Sequence, residues 1–118
     1  MISQEDLPGL IENNIPELSG ICKKKKCRNA YDMVRQMIVY THSKVIKHNI
    51  AAAAQCLGLA EQLYKKGNKS IKRAIENVFV YSFSRMFFHD EKMKNEMVKI
   101  VPSSLYALYK KQVVSSHL

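Results

Sequence analysis

Two cysteines flanking four lysines, Cys22-Lys23-Lys24-Lys25-Lys26-Cys27, are the first residues in this chain whose types and spacing suggest chemistry. Two thiolates with four residues between them could supply half of a tetrahedral zinc site. The other half is missing. No second cysteine pair follows, and His42 and His48 stand some distance on, in or after a helical stretch. Four ammonium groups are also a poor setting for a dication, although they would lower a thiol pKa and activate the sulfur. The preferred reading is a basic loop with two incidental thiols, no metal and no cofactor. Cys56 falls on an apolar helix face, where a thiol acts as a small hydrophobe.

Arg35 and His42 are the second candidate. Seven residues is close to two helical turns, so both project from nearly one edge. The spacing resembles the loose R-x(4 to 6)-H pattern of HEPN-type helical ribonucleases, in which an Arg and a His act on an RNA phosphodiester. Gln36 only partly supplies the polar neighbour that pattern carries beside its arginine. Helix-surface residues flanking an apolar face are the preferred reading, with ribonuclease activity as a second alternative.

Ala53-Ala54-Gln55-Cys56-Leu57-Gly58-Leu59, leading to Lys66, looks like the AA-x-x-LG-L core of DNA-binding helix-turn-helix proteins, with Gly58 as the turn. A recognition helix would then be confined to 60–66, with Glu61 and Gln62 outward. Major-groove readers need a longer helix with base-contacting donors near its start. Read as one continuous helix, the apolar arc passes unbroken through Gly58, which lands on the solvent side. Nucleic-acid binding, by this stretch or by Lys23, Lys24, Lys25, Lys26 and Arg28, is the leading alternative function. His48, His89 and His117 have no partner at useful spacing, carboxylates are too spread to form an acid/base pair, and no phosphate-binding, dinucleotide or zinc-protease motif is present.

The element that must position everything else is Ser70–Phe88, the most apolar and aromatic segment. At about 100° per residue it places Ile71, Ala74, Ile75, Val78, Ser82 and Met86 on one side and Phe79, Val80, Phe83 and Phe87 on the next. Only a narrow polar stripe remains: Ser70, Arg73, Asn77, Tyr81 and Ser84. A helix apolar around most of its circumference has to be covered on several sides. Arg73, Asn77, Tyr81 and Ser84 are therefore the residues of this helix left over for binding, with the arginine as a fork for carboxylates and the asparagine as a two-way hydrogen bonder.

The flanking segments are also helical by pattern. A first helix starts at Ser3 or, preferably, Asp6, so that Pro8 lies in the first turn, and runs to Asn14 with Leu7, Leu10 and Ile11 inward. Residues 15–20 form a break. The five cations of Lys23–Arg28 predict an exposed loop or frayed turn. Asn29 to about Lys47 turns Ala30, Tyr31, Val34, Met37, Ile38, Thr41 and Val45 inward. Asn49 caps a helix over Ile50–Lys66 with Ile50, Ala53, Cys56, Leu57, Ala60, Leu63 and Tyr64 inward. Lys65-Lys66-Gly67 predicts a helix stop with a C′ glycine, and Asn68 caps the central helix. His89-Asp90 ends it. A short helix over Glu91–Ile100 follows with Met93 and Met97 inward, then Pro102 opens a last one, to about Val114, with Leu105, Leu108, Tyr109 and Gln112 on one face. The tail from Ser115 is expected to fray, and no strand is convincing.

With 118 residues, the chain is long enough to bury a core without disulfides, and 25% charged against 47% apolar residues describe an ordinary helical protein rather than a disordered one. No apolar run suits a bilayer span and the N-terminus lacks the pattern of a secretory signal. Three cysteines, an odd number, suit a reduced compartment. The expected location is the cytoplasm. The formal charge is +9, and because the first twenty residues hold Glu5, Asp6, Glu12 and Glu17 with no cation, the remainder carries +13. An acidic arm packed on a basic body is expected, with polyanions favoured as partners.

Three stretches together resemble a family of small, all-helical bacterial proteins known as a domain of unknown function. They are Leu59-Ala60-Glu61-Gln62-Leu63-Tyr64-Lys65-Lys66-Gly67-Asn68, then AIENVFVYSFS from Ala74, then Pro102-Ser103-Ser104-Leu105-Tyr106 with Tyr109 to Gln112, in PSSLYALYKKQ. The resemblance covers about the C-terminal half. It implies a short helical cytoplasmic protein and no activity. Pro8 and the run Lys23–Lys26 look peculiar to this chain.

The sequence thus predicts one all-α domain over 1–118, a bundle of five or six helices around a central apolar helix at about 69–88, with Leu57, Val78, Phe79 and Phe83 deeply buried. It predicts a non-enzymatic interaction or immunity-like accessory protein. Its partner would be a protein or a second copy of the chain.

Overall fold

Three asparagines decide where the longer helices begin. Asn29 accepts a hydrogen bond from the Asp32 amide at 3.1 Å, Asn49 from the Ala52 amide at 3.2 Å, and Asn68 from the Ile71 amide at 3.1 Å. Each side-chain oxygen satisfies one of the amides that a first helical turn leaves without a partner. The computed structural model describes residues 1–82, 85 and 91–116, the side chains of 22 and 113–116 excepted.

In chain order the helices are α1 (Leu7–Asn14), α2 (Ile21–Lys24), α3 (Ala30–Ile46), α4 (Ile50–Lys66), α5 (Lys69–Ala74), α6 (Glu91–Ile100) and α7 (Ser103–Ser116). Short 3-10 turns at Gln4–Asp6 and Pro16–Leu18 precede and follow α1. The architecture is all-α, as the patterning predicts. Among the described residues the β-type pairing consists of an isolated parallel bridge between Ile2 and Gly67.

Both expected start signals of the first helix are used. The Ser3 amide and hydroxyl donate to the Asp6 carboxylate at 2.9 and 3.0 Å, closing the 3-10 turn, and Pro8 then sits in the first turn of α1. The lysine segment departs from the expected loop in part. Gly20, at φ 76°, turns the chain into one helical turn, α2, before Lys25 and Lys26 leave it, and all four lysines are exposed.

Helix α3 lies against α1, α4, α5 and the segment after α5, so it shares the centre of the bundle with the predicted central helix. Its Ala30, Val34, Met37, Ile38, Thr41 and Val45 are buried as expected, and Met33 joins them while Tyr31 is half-buried. In α4, Ala53, Cys56, Leu57, Ala60 and Leu63 are buried, with Leu59 an addition and Ile50 and Tyr64 half-buried. Gly58 is exposed within an unbroken helix, so the turn that a helix-turn-helix requires there is absent.

The central segment is not the uninterrupted α-helix the periodicity predicts. After Ala74 the chain widens into a π-helix, Ile75–Val80, and returns to α at Tyr81 and Ser82. Val78, Phe79 and Val80 are three consecutive buried residues. Neighbours cover this segment on three sides, from α3, α4 and α7. Leu57, Val78 and Phe79 are buried as predicted. Phe83, Met86, Phe87 and the expected helix end at His89 and Asp90 lie outside the described residues, as does His117.

The start of the chain is tied to the α4–α5 junction. Ile2 donates to the Lys66 carbonyl and accepts from the Asn68 amide, both at 2.8 Å. Gly67 stands between those two contacts with φ −75° and ψ 157°, an ordinary extended conformation, not the left-handed one of a C′ glycine. Its reason is space: an added Cβ would lie 2.5 Å from Ile71 Cγ2 and also against the Leu63 carbonyl. The acidic arm does pack on the body. Glu17 meets Lys44 Nζ at 2.7 Å, Gln4 accepts from the Ala30 amide at 3.1 Å, and Gln55 donates to the Asn14 carbonyl at 2.7 Å.

Candidate functional site

Arg73, Asn77 and Tyr81 are all exposed, and they lie on the chain's most apolar helical segment. Ser84, the fourth residue predicted for this stripe, lies outside the described residues. Arg85 is described and exposed, and its guanidinium lies 5.7 Å from the centre of the Tyr81 ring, within cation–π range.

The π-helix explains why Arg85 belongs to this edge. In a straight α-helix a step of four residues drifts by about 40°, so three steps from Arg73 would carry Arg85 about 120° away. A π turn uses one extra residue, which sets everything after it back by about 100°. The drift falls to about 20°. Arg73, Asn77, Tyr81 and Arg85 then follow one edge over about 18 Å at 1.5 Å per residue. Sequence reasoning missed Arg85 because a uniform α-helix returns to the Arg73 direction after eleven residues rather than twelve.

Two side chains from other helices converge on Glu76, inside the π segment. Gln112 of α7 donates its amide N–H to the Glu76 main-chain carbonyl at 2.6 Å. The Tyr64 hydroxyl, on α4, faces the Glu76 carboxylate. Burial, and then that carboxylate, push the Tyr64 hydroxyl above the ordinary tyrosine range. The surroundings of the stripe are cationic. Lys65, Lys66, Lys69 and Lys72 are exposed around the α4–α5 junction, and Lys65 is 3.8 Å from Glu61.

The remaining candidates are dispersed. Lys23, Lys24, Lys25, Lys26 and Arg28 are exposed on and after α2, and the Arg28 amide donates to Asp32. Cys27 is a half-buried free thiol, while the Cys22 side chain is outside the description. Arg35 is exposed and paired with Asp32 at 3.2 Å, and His42 is half-buried two turns along α3. Among the described residues no three of His, Cys, Asp and Glu converge as metal ligands would. Cys56 donates weakly to the Met37 carbonyl at 3.5 Å, and burial pushes its thiol up to about 11. That is the setting of a core residue, not a nucleophile. No helix of the described residues is long and apolar enough to cross a membrane.

One family model matches the chain, over residues 8–115, and its description is a domain of unknown function, DUF7674. The matched range includes the whole stripe and both of the side chains that meet Glu76. No curated protein and no solved structure matches.

Proposed function

The chain belongs to the DUF7674 family, and from that premise we propose that it is a non-catalytic binding protein whose central-helix stripe docks an acidic segment of a protein partner. The observation carrying this reading is the exposure of Arg73, Asn77, Tyr81 and Arg85 along the segment whose Ile71, Ala74, Ile75, Val78, Phe79 and Val80 are given to the core. Arginine and tyrosine are the side chains that most often supply binding energy at protein interfaces. A planar guanidinium at each end of the stripe suits bidentate carboxylate recognition. The formal charge of +9 adds long-range attraction for the same partner. We place this activity in the cytoplasm, in one domain over 1–118.

Fluorescence anisotropy with a labelled peptide of alternating Glu and Leu, and its Gln–Leu counterpart, tests the proposal. The acidic peptide should bind and the neutral one should not. Arg73→Gln with Arg85→Gln should weaken binding at least about tenfold, a loss of roughly 1.4 kcal/mol, without moving the thermal midpoint. Lys24→Gln with Lys25→Gln should change it less than about twofold, because an exposed charge off the stripe is screened by salt. Equal losses from the two double variants would overturn the reading. So would tighter, steeply salt-dependent binding of a single-stranded RNA that requires Lys23–Lys26.

A further inference from the structure

We propose that Gln112 is a positioning residue: by holding the Glu76 carbonyl it keeps Ile75–Val80 in the π register, so that docking of α7 sets the alignment of the stripe. This inference rests on the stripe being the docking surface. Its observations are separate: the 2.6 Å hydrogen bond, the π geometry, and the way α7 is attached.

A change from i→i+4 to i→i+5 bonding moves the intrahelical donor that meets each carbonyl one residue further along the chain. Glu76 is within the π segment, and its carbonyl receives an N–H from a side chain 36 residues on. The wide turn is thus held from outside its own helix as well as from within it. The rest of α7 is fastened to the same neighbourhood. Leu105 is buried against Leu57, Phe79, Val80 and Val101 around a small apolar gap, and the Ser104 hydroxyl donates to Glu61 at 2.8 Å. Phe79 and Val80 belong to the π segment, so α7 touches it through core contacts and through the Gln112 amide.

If Gln112 withdraws, the Glu76 carbonyl loses its outside donor, and the nearest replacement is the α-type bond from the Val80 amide. That removes the extra residue from the turn and rotates the chain after it by about 100° relative to Arg73. Arg85 would then leave the edge that Arg73 and Asn77 occupy. A partner bridging both arginines would bind only the π register, so its binding and the docking of α7 reinforce one another.

The test uses the full chain with Cys22→Ser and Cys27→Ser, and nitroxide labels at Lys69→Cys and Arg85→Cys. Gln112→Leu removes the donor at similar length, Gln112→Asn shortens its reach with little change in polarity, and Lys111→Ala is the control on the same helix. Expected is a shift of several Å in the label distance for both Gln112 variants and none for the control. In unlabelled chains the same variants should weaken binding of the Glu–Leu peptide about tenfold. An unmoved label distance in the folded Gln112→Asn chain overturns the inference, whatever the peptide does. A shifted distance with unchanged peptide affinity leaves the register role standing and refutes the docking surface.

Discussion

Ile71 packs so closely on Gly67 that no methyl group fits between them: a Cβ at residue 67 would meet Ile71 Cγ2 at 2.5 Å and Ile71 Cβ at 2.7 Å. Because Gly67 is extended, at φ −75°, the constraint is steric and not conformational. Gly67→Ala should therefore destabilise by about 1–3 kcal/mol through overpacking. Gly58 is the contrast, with nothing within 4 Å of an added Cβ on an exposed helix face. Gly58→Ala should stabilise by about 0.5–1 kcal/mol, since alanine loses less backbone entropy in a helix. Urea denaturation of the two variants beside the parent chain checks both signs.

The first turn of α3 is completed from the N-terminal arm. The Ala30 amide, on a fully buried residue, donates to Gln4 Oε1 at 3.1 Å. Gln4→Ala should cost about 1–2 kcal/mol by leaving that donor without a partner. Gln4→Glu, which keeps an acceptor in place, should recover most of the loss in the same thermal unfolding experiment.

Phe79 is 1% exposed and borders the small apolar gap shared with Leu57, Val80, Val101 and Leu105. Phe79→Ala enlarges an existing gap that the surrounding helices already fail to close, so a loss of about 3–5 kcal/mol is expected. Val98→Ala, at a 40% exposed position, should stay within about 0.5 kcal/mol. Chemical denaturation curves that place the two variants together would contradict the packing described for α7.

Cys56 should resist thiol reagents at pH 8 in the folded chain and react once the chain is denatured, whereas half-buried Cys27 should react without unfolding. Labelling followed by mass spectrometry of a Cys22→Ser chain reads this directly. The same burial predicts a pH dependence. The unfolded thiol loses its proton near 9 and the native one near 11. The Cys56 contribution is thus fully present below pH 9, and between those values the unfolded chain binds fewer protons, so stability falls as pH rises. The loss should be on the order of 2 kcal/mol by pH 11. Cys56→Ala should flatten that part of the curve.

The sequence by itself determined α3 and α4 and where α3, α4 and α5 begin, because these depend on short-range physics. Asn29, Asn49 and Asn68 each cap an amide three residues on, and the apolar arcs of α3 and α4 are periodicities within one helix. The continuity of α4 through Gly58 was legible for the same reason. The exposure of Arg73, Asn77 and Tyr81 was legible as the polar remainder of an apolar helix.

Tertiary structure decided what depends on groups far apart in the chain. Gly67 has a helix-stop context in sequence, but its necessity comes from the approach of Ile71 and from Ile2 pairing across the junction. The π register has no periodic signature of its own. In it the Glu76 carbonyl accepts from Gln112, 36 residues later, while α3, α4 and α7 enclose Val78, Phe79 and Val80. Helical spacing fixes which residues share an edge only while the turn stays uniform. Here a side chain 36 residues away bonds to the one wider turn, and that turn brings Arg85 into line with Arg73.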